Sequence, residues 1–390
     1  MPRRVVYVIG QLGAGGTERQ LLELVLRLDR SRWQPEVVTF TPRGALERDF
    51  SAACPIHVLN KTPLREAKVF IELTRLLRTL RPDVIHTSLY PANWRGALAA
   101  SLAGRPVRIG SVRNMGDWMG QVRRRIERAA LRGADAVVVN AGAVGGFLHD
   151  QVGVPREKIR MIPNGVDLDL FRPRREGEPD LRRELGGGSD AGMMLVGAVM
   201  SLTIKKNPLL LVEAAARLSR EHPRARFVIA GEGPLRPALE AAAAASGLAG
   251  RFHFAGLRRD VPDVLRSIDL LVLTSDREGM PNVVLEAMAT GVPTVATDVG
   301  GTGEIIQDRV TGRLVPPRDA EALALALGEL LSEPKAVALM GTAARRRAEE
   351  SFGLDGMVAA TECLYSELIE ARSAIPARHR AESPARGGRE

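Results

Sequence analysis

Short β-branched runs alternate with amphipathic helical segments along almost the whole chain, and the alternation runs twice. Residues 5–10, 36–40, 83–87, 107–112 and 136–140 read as buried strands, with helical periodicity over 16–28 and 69–80 between them. The pattern stops at Ile162-Pro163-Asn164-Gly165-Val166-Asp167 and a polar stretch, 172–190, that ends in Gly186-Gly187-Gly188, the expected linker. It restarts with strands at 193–200, 226–230, 252–255, 269–274 and 293–297, and helices near 208–221, 234–246, 281–290, 319–332 and 335–350. Repeated strand–helix–strand units demand parallel sheets covered on both faces. The expectation is an α/β chain of two doubly wound, Rossmann-like domains facing across a cleft. Their limits are read as 1–173 and 174–352, with a returning helix near 353–372 and a disordered tail over 373–390.

The 390-residue length agrees, because it exceeds what one hydrophobic core supports. No apolar run reaches the roughly 18 residues of a spanning helix, and Val5 to Gly10 is too short for a signal-peptide core. Cys54 and Cys363 are too few for a disulfide framework or a structural zinc site, so reducing cytoplasm is the expected compartment. The net charge of +9 is uneven. Residues 1–175 hold 29 Lys/Arg against 16 Asp/Glu, or +13, and the remainder hold 26 against 30, or −4.

The first strand runs into Gly13-Ala14-Gly15-Gly16-Thr17-Glu18 and then a helix. Glycines let backbone approach a ligand, and a helix N-terminus offers free N–H groups to an anion. A tight strand-to-helix turn explains the same residues without a ligand. The spacing is neither G-x-G-x-x-G nor a Walker loop, and Phe40-Thr41 stand where a ribose-binding acid would end the second strand.

The richest segment is Ser275-Asp276-Arg277-Glu278-Gly279-Met280-Pro281-Asn282-Val283-Val284-Leu285-Glu286-Ala287-Met288-Ala289. Pro281 suits a first helical position. Glu286 is the one charge in an apolar helix and needs a partner, which a vicinal diol or an arginine can provide. Glu278 lies in the loop after a parallel strand, where open sheets bind ligands.

The seven-residue gap between Glu278 and Glu286 resembles the E-x7-E segment of the retaining glycosyltransferases of family 4, which have the GT-B fold. Gly15-Gly16-Thr17-Glu18, Ile162 to Asp167, Lys206-Asn207-Pro208, Gly231-Glu232-Gly233-Pro234-Leu235 and Asp298-Val299-Gly300-Gly301 are similar to further family motifs in the right order, over residues 5–370. The resemblance implies a hexose or N-acetylhexosamine moved from a nucleotide sugar to a glycan or lipid-linked acceptor, with no divalent metal and no other cofactor. It implies that Gly15, Gly16 and Lys206 meet the donor diphosphate. Glu278 would contact the donor sugar, and Glu286 the ribose. Gly279, Met280, Pro281, Asn282 and Val283 would add contacts at a helix N-terminus. Retention is implied by the family alone, and attack from the same face, assisted by the leaving phosphate, is the mechanism expected.

Two positions depart from the family. Ser201 replaces an arginine of the C-terminal loop, and Arg113 replaces a histidine on the acceptor side. Arg113 is therefore a candidate catalytic or anion-binding group, and His86 a candidate for the acceptor side or for simple packing. These departures keep a nucleotide-sugar epimerase, or a non-catalytic sugar-nucleotide or glycan binder, as alternatives. Arg123-Arg124-Arg125, Arg128 and Arg132 place cations on one helix, which suits an anionic membrane surface or plain solvation. No nucleic-acid module is recognisable, and aromatics are only 4%, so nucleic acid is not expected as a partner.

Overall fold

The computed structural model describes residues 1–42, 44–60, 66–115, 120–185 and 192–374. The chain begins β1 (Arg3–Ile9), α1 (Gly16–Arg27), β2 (Trp33–Thr39), α2 (Glu47–Ala53), β3 (Ile56–Val58), α3 (Glu66–Leu80), β4 (Val84–Ser88) and α4 (Tyr90–Leu102). It continues through β5 (Val107–Val112), α5 (Gln121–Arg132), β6 (Ala136–Val139), α6 (Gly142–Phe147) and β7 (Ile159–Met161). These strands form one parallel sheet of order β3-β2-β1-β4-β5-β6-β7. Alternation sorts its side chains. Val5, Tyr7 and Ile9 pack under α1, whereas Val6 and Val8 face α3 and α4.

The second half runs α7 (Leu181–Glu184), β8 (Met194–Val199), α8 (Leu209–Leu218), β9 (Ala225–Ala230), α9 (Arg236–Ala245), β10 (Phe252–Gly256), α10 (Val261–Ser267) and β11 (Leu270–Leu273). It ends with α11 (Asn282–Thr290), β12 (Thr294–Thr297), α12 (Thr302–Ile305), β13 (Gly312–Val315), α13 (Ala320–Ser332), α14 (Pro334–Ser351) and α15 (Leu354–Ala374). Its sheet, also parallel, has the order β10-β9-β8-β11-β12-β13. The α/β class with two doubly wound sheets is thus the observed architecture. The chain passes between the sheets twice, side by side, with the Val166 N–H donating to Phe352 O at 2.8 Å and the Leu354 N–H to Val166 O at 3.2 Å.

Helix α15 packs back on α1, not on the second sheet. Its Tyr365 is fully buried beside Trp33 and Tyr7, with the Trp33 and Tyr365 rings edge-on at 5.4 Å. The short strands β3, β7 and β13 and the helices α2, α4, α6, α7, α10 and α12 have no counterpart among the segments expected from the sequence. β3 and β7 lie at the edges of their sheet and are only half-buried or exposed, so no apolar run marks them. The Gly186-Gly187-Gly188 linker and most of the tail lie outside the described residues; residues 373–374, assigned to the tail, continue α15 instead.

Candidate functional site

In each sheet the strand order reverses beside the first strand of the unit, between β1 and β4 and between β8 and β11. Crevices form at the C-terminal strand ends there. The glycine loop follows β1, the Lys206 loop follows β8, and the Glu278 loop follows β11. The two C-terminal edges face each other.

Lys206 is delivered by a single helical turn, Ile204–Lys206, ended by Asn207 in the left-handed region at φ 45°. The Thr274 hydroxyl donates to Lys206 O at 2.8 Å, and the Asp276 N–H donates to Lys205 O at 2.9 Å, which ties this loop to the one after β11. Lys206 Nζ lies 2.5 Å from Glu278 Oε1, and the Ser275 hydroxyl donates to the same oxygen at 2.6 Å. Glu278 is buried, so the ammonium and the hydroxyl offset the cost of desolvating its charge.

Pro281 is the extended N-cap of α11 rather than its first helical residue; Asn282 takes that place. The first N–H groups of α11 therefore open toward the glycine loop. The Asn282 side chain crosses the gap, its amide N–H donating to Gly16 O at 3.3 Å. Asn282 Oδ1 accepts from Asn164 Nδ2 at 2.7 Å, which also donates to Met280 O at 3.0 Å, and Arg113 Nη1 donates to Asn164 Oδ1 at 2.6 Å. Arg113, Asn164, Asn282 and Gly16 form one chain of hydrogen bonds across the cleft. Burial pulls the Arg113 guanidinium down to about 10, which leaves it charged at neutral pH.

Glu286 lies one turn beyond Asn282 on α11, and Arg19 one turn beyond Gly15 on α1. Glu286 is half-buried, and its carboxylate has no hydrogen-bond or ion-pair partner among the described residues. Burial raises its pKa to about 7, and the charge of Arg19 works against that rise. An arginine ion pair for Glu286, one of the two partners considered, is absent among the described residues.

Gly15 is the N-cap of α1, and a Cβ on Gly16 would stand 3.3 Å from Asn282 Nδ2. Gly279 meets the opposite domain directly: a Cβ there would lie 2.0 Å from Arg113 O. Met280 is buried and Val283 half-buried at the start of α11, and Ser201 is exposed. Among the described residues no group of three or more His, Cys, Asp or Glu is placed to hold a metal ion.

His86 is not on the cleft. Its Nδ1 lies 2.6 Å from the Tyr365 hydroxyl, which donates to the Tyr7 hydroxyl at 3.1 Å. Burial, reinforced by the Arg113 charge, pulls the imidazole down to about 3, so it stays neutral. The packing reading is the observed one, because His86 pairs with Tyr7 in register and shares its face under α15. The sequence reading also missed Asn164, Asn282's bridging role and Glu304. Glu304 accepts from the N–H groups of Gly142 and Ala143 at 2.7 and 2.8 Å, a second strap between the domains. Asn164 and Glu304 both stand in or beside stretches matched to family motifs, which was the available signal.

Known proteins of one family resemble this chain along most of its length. The family model described as Glycosyltransferase Family 4 matches residues 14–170, and the one described as Glycosyl transferases group 1 matches residues 193–333. The D-inositol 3-phosphate glycosyltransferase of Streptomyces scabiei is 30% identical, over 91% of this chain and 87% of its own. The UDP-Gal:alpha-D-GlcNAc-diphosphoundecaprenol alpha-1,3-galactosyltransferase of Escherichia coli is 27% identical, over 80% of this chain and 82% of its own. Anabaena HepE, solved in complex with UDP, superposes with a TM-score of 0.82 at 23% identity, over 95% of this chain and 100% of its own, a likeness of fold. The two doubly wound sheets are the GT-B architecture, and the chain belongs to the family 4 glycosyltransferases.

Proposed function

We propose that this transferase moves a hexose or N-acetylhexosamine from a UDP-sugar, with retention and without a metal ion, to a glycan or lipid-linked acceptor in polysaccharide or glycoconjugate synthesis. The observation that carries the reading is the Lys206–Glu278 pair beside the open N-terminus of α11, with the unpartnered Glu286 carboxylate one turn beyond. Lys206, the Gly15 and Gly16 backbone and the first N–H groups of α11 face the place where negative charge grows as the diphosphate leaves. Glu286 accepts from the ribose hydroxyls. Glu278 has one oxygen held by both Lys206 and Ser275, which makes it a poor nucleophile and favours attack from the same face. The base is supported by the UDP in the neighbouring structure and the UDP-galactose donor of the Escherichia coli relative. The epimerase and non-catalytic alternatives have no counterpart among these relatives.

Thermal shift tests the donor. A UDP-sugar is expected to raise the melting temperature and GDP- and ADP-sugars not to; no shift with any of them would overturn the reading. The Glu286 pKa gives the same experiment a pH signature. A carboxylate accepts from both ribose hydroxyls only when ionised, so donor affinity rises with pH through about 7. The gain between pH 6 and 8 is about tenfold, and Glu286→Gln removes it. Without donor the sign reverses: the raised carboxyl pKa makes the folded protein lose stability as pH climbs from 4.5 to about 7.

The acceptor side of the reading adds a cytoplasmic location and docking to an anionic membrane face. Arg123, Arg125, Arg128 and Arg132 of α5 are exposed, and between them Val122 is 70% and Ile126 39% exposed. Each cation near an anionic surface contributes about 1 kcal/mol. Changing Arg123, Arg125 and Arg128 to Gln is expected to weaken co-sedimentation with phosphatidylglycerol vesicles at least tenfold; unchanged binding would remove α5 from the surface. No described helix is long and apolar enough to cross a membrane.

A further inference from the structure

At the N-terminal ends of β4 and β5 a cleft of about 610 Å³ opens between the last turns of α3, α4 and α15. The transfer site lies at the other ends of the same strands, roughly 17 Å away along a five-residue strand. Arg78, Arg81, Arg105 and Arg372 line the cleft, and Asp83 is its one carboxylate. Asp83 Oδ2 is already engaged, accepting from the Arg4 N–H at 2.7 Å.

Cations at helix C-termini often serve only to satisfy the last carbonyls. Arg78 does this, its Nε donating to Leu102 O at 3.1 Å, and Arg372 donates to Pro106 O at 2.9 Å and pairs with Asp135. Arg81 and Arg105 do not. Both guanidiniums are without a hydrogen-bond or ion-pair partner among the described residues. Both residues also sit in the left-handed region, at φ 46° and 57°, a conformation that is unfavourable for a residue with a Cβ. The chain thus places two unneutralised arginines on a strained backbone where glycine would be at ease. Burial chiefly lowers the pKa of the neighbouring Arg108; Asp135 opposes this, and the charges of Arg372 and Arg105 add smaller contributions in the same direction as burial.

We propose that this cleft is a binding site for a phosphate-bearing anion, separate from the transfer site. Guanidinium forks match phosphate oxygens in pairs and stay charged at every working pH. Arg81 and Arg105, beside one committed carboxylate, leave guanidinium donors with no partner among the described residues. The walls are mixed, with Leu102 and Ile369 beside the arginines, so a phosphate carried on an apolar body fits as well as a free one. Because Arg372 stands in the last turn of the returning helix, an anion here joins α15 to the ends of α3 and α4. It therefore stabilises the first domain. The shared chemistry, a phosphoryl group, has two sources: a soluble phosphorylated metabolite or the headgroup of an anionic lipid.

The test uses the full chain carrying Lys206→Ala, so that the diphosphate pocket does not contribute, and compares it with the same chain also carrying Arg81→Gln and Arg105→Gln. Inorganic pyrophosphate is titrated by calorimetry. Saturable binding weakened at least tenfold by the two added substitutions is expected, since each removes charge-assisted hydrogen bonds. Phosphatidylglycerol vesicles form the second arm, in an α5 background with Arg123, Arg125 and Arg128 changed to Gln. Binding of pyrophosphate alone assigns a soluble ligand, and arginine-dependent binding of vesicles alone assigns a headgroup. No binding in either arm, or binding indifferent to Arg81 and Arg105, overturns the proposal. Circular dichroism and sugar transfer by Arg81→Gln/Arg105→Gln in the otherwise native chain, expected at native rates, show that the fold is intact.

Discussion

Lys206→Ala is expected to lower kcat/KM for sugar transfer by about two to three orders of magnitude, the effect of removing a donor aimed at developing charge. Ser201, on the loop that follows the same strand, adds to the dependence, because its exposed side chain is neutral and supplies no second cation there. Glu278→Ala is expected to act on a similar scale, and the two effects should not add. The residues share a 2.5 Å ion pair, so removing Lys206 leaves the buried Glu278 carboxylate with only the Ser275 hydroxyl. The double variant should therefore lose less than the product of the single losses. The split between parameters separates the roles: loss of Lys206 weakens the hold on the leaving diphosphate as well as the transition state, whereas loss of Glu278 falls mainly on kcat. Native rates in both variants would remove this pair from the transfer site.

The pair also shows what a sequence can and cannot carry. Two doubly wound sheets were legible because buried parallel strands are continuous apolar runs, such as residues 5–9 and 270–273, and both lie at the centre of their sheets. Edge strands β3 and β7 have no second neighbour to bury them and were silent. Lys206 and Glu278 are 72 residues apart, yet their meeting follows from topology, because their loops leave the adjacent strands β8 and β11 on the same edge. His86 is the opposite case. Nothing local says that a strand-borne histidine will be capped by a tyrosine 279 residues later, since that contact depends on α15 returning to the first sheet. The same holds for Glu304, whose partners are backbone N–H groups of the other domain and so leave no trace in residue type.

Gly279 shows how backbone can decide activity where no side chain exists. Its φ lies outside the left-handed region, so Gly279→Ala meets no conformational penalty of its own and slightly favours folding by restricting the unfolded chain. The difficulty is purely one of space. The new methyl would lie 2.0 Å from Arg113 O, a backbone atom of the other domain, and 3.3 Å from Asn140 Oδ1. Neither sheet needs to deform to relieve this; the domains need only part by roughly 1 Å, a displacement that can cost about a hundredfold when reacting groups must align. The separation would pull on the bonds that hold the closed arrangement, from Asn282 to Gly16 and from Glu304 to Gly142. Lys206, Glu278 and Glu286 all stay on one domain. The expected result is therefore specific: kcat/KM falls about a hundredfold, donor affinity falls far less, and the melting temperature barely moves. A crystal structure of the variant should show the distance between residue 279 and Arg113 O increased, with each sheet unchanged. A variant that transfers sugar at the native rate would mean that the Arg113–Gly279 contact is not made during catalysis. A large drop in melting temperature would mean instead that the contact supports the fold.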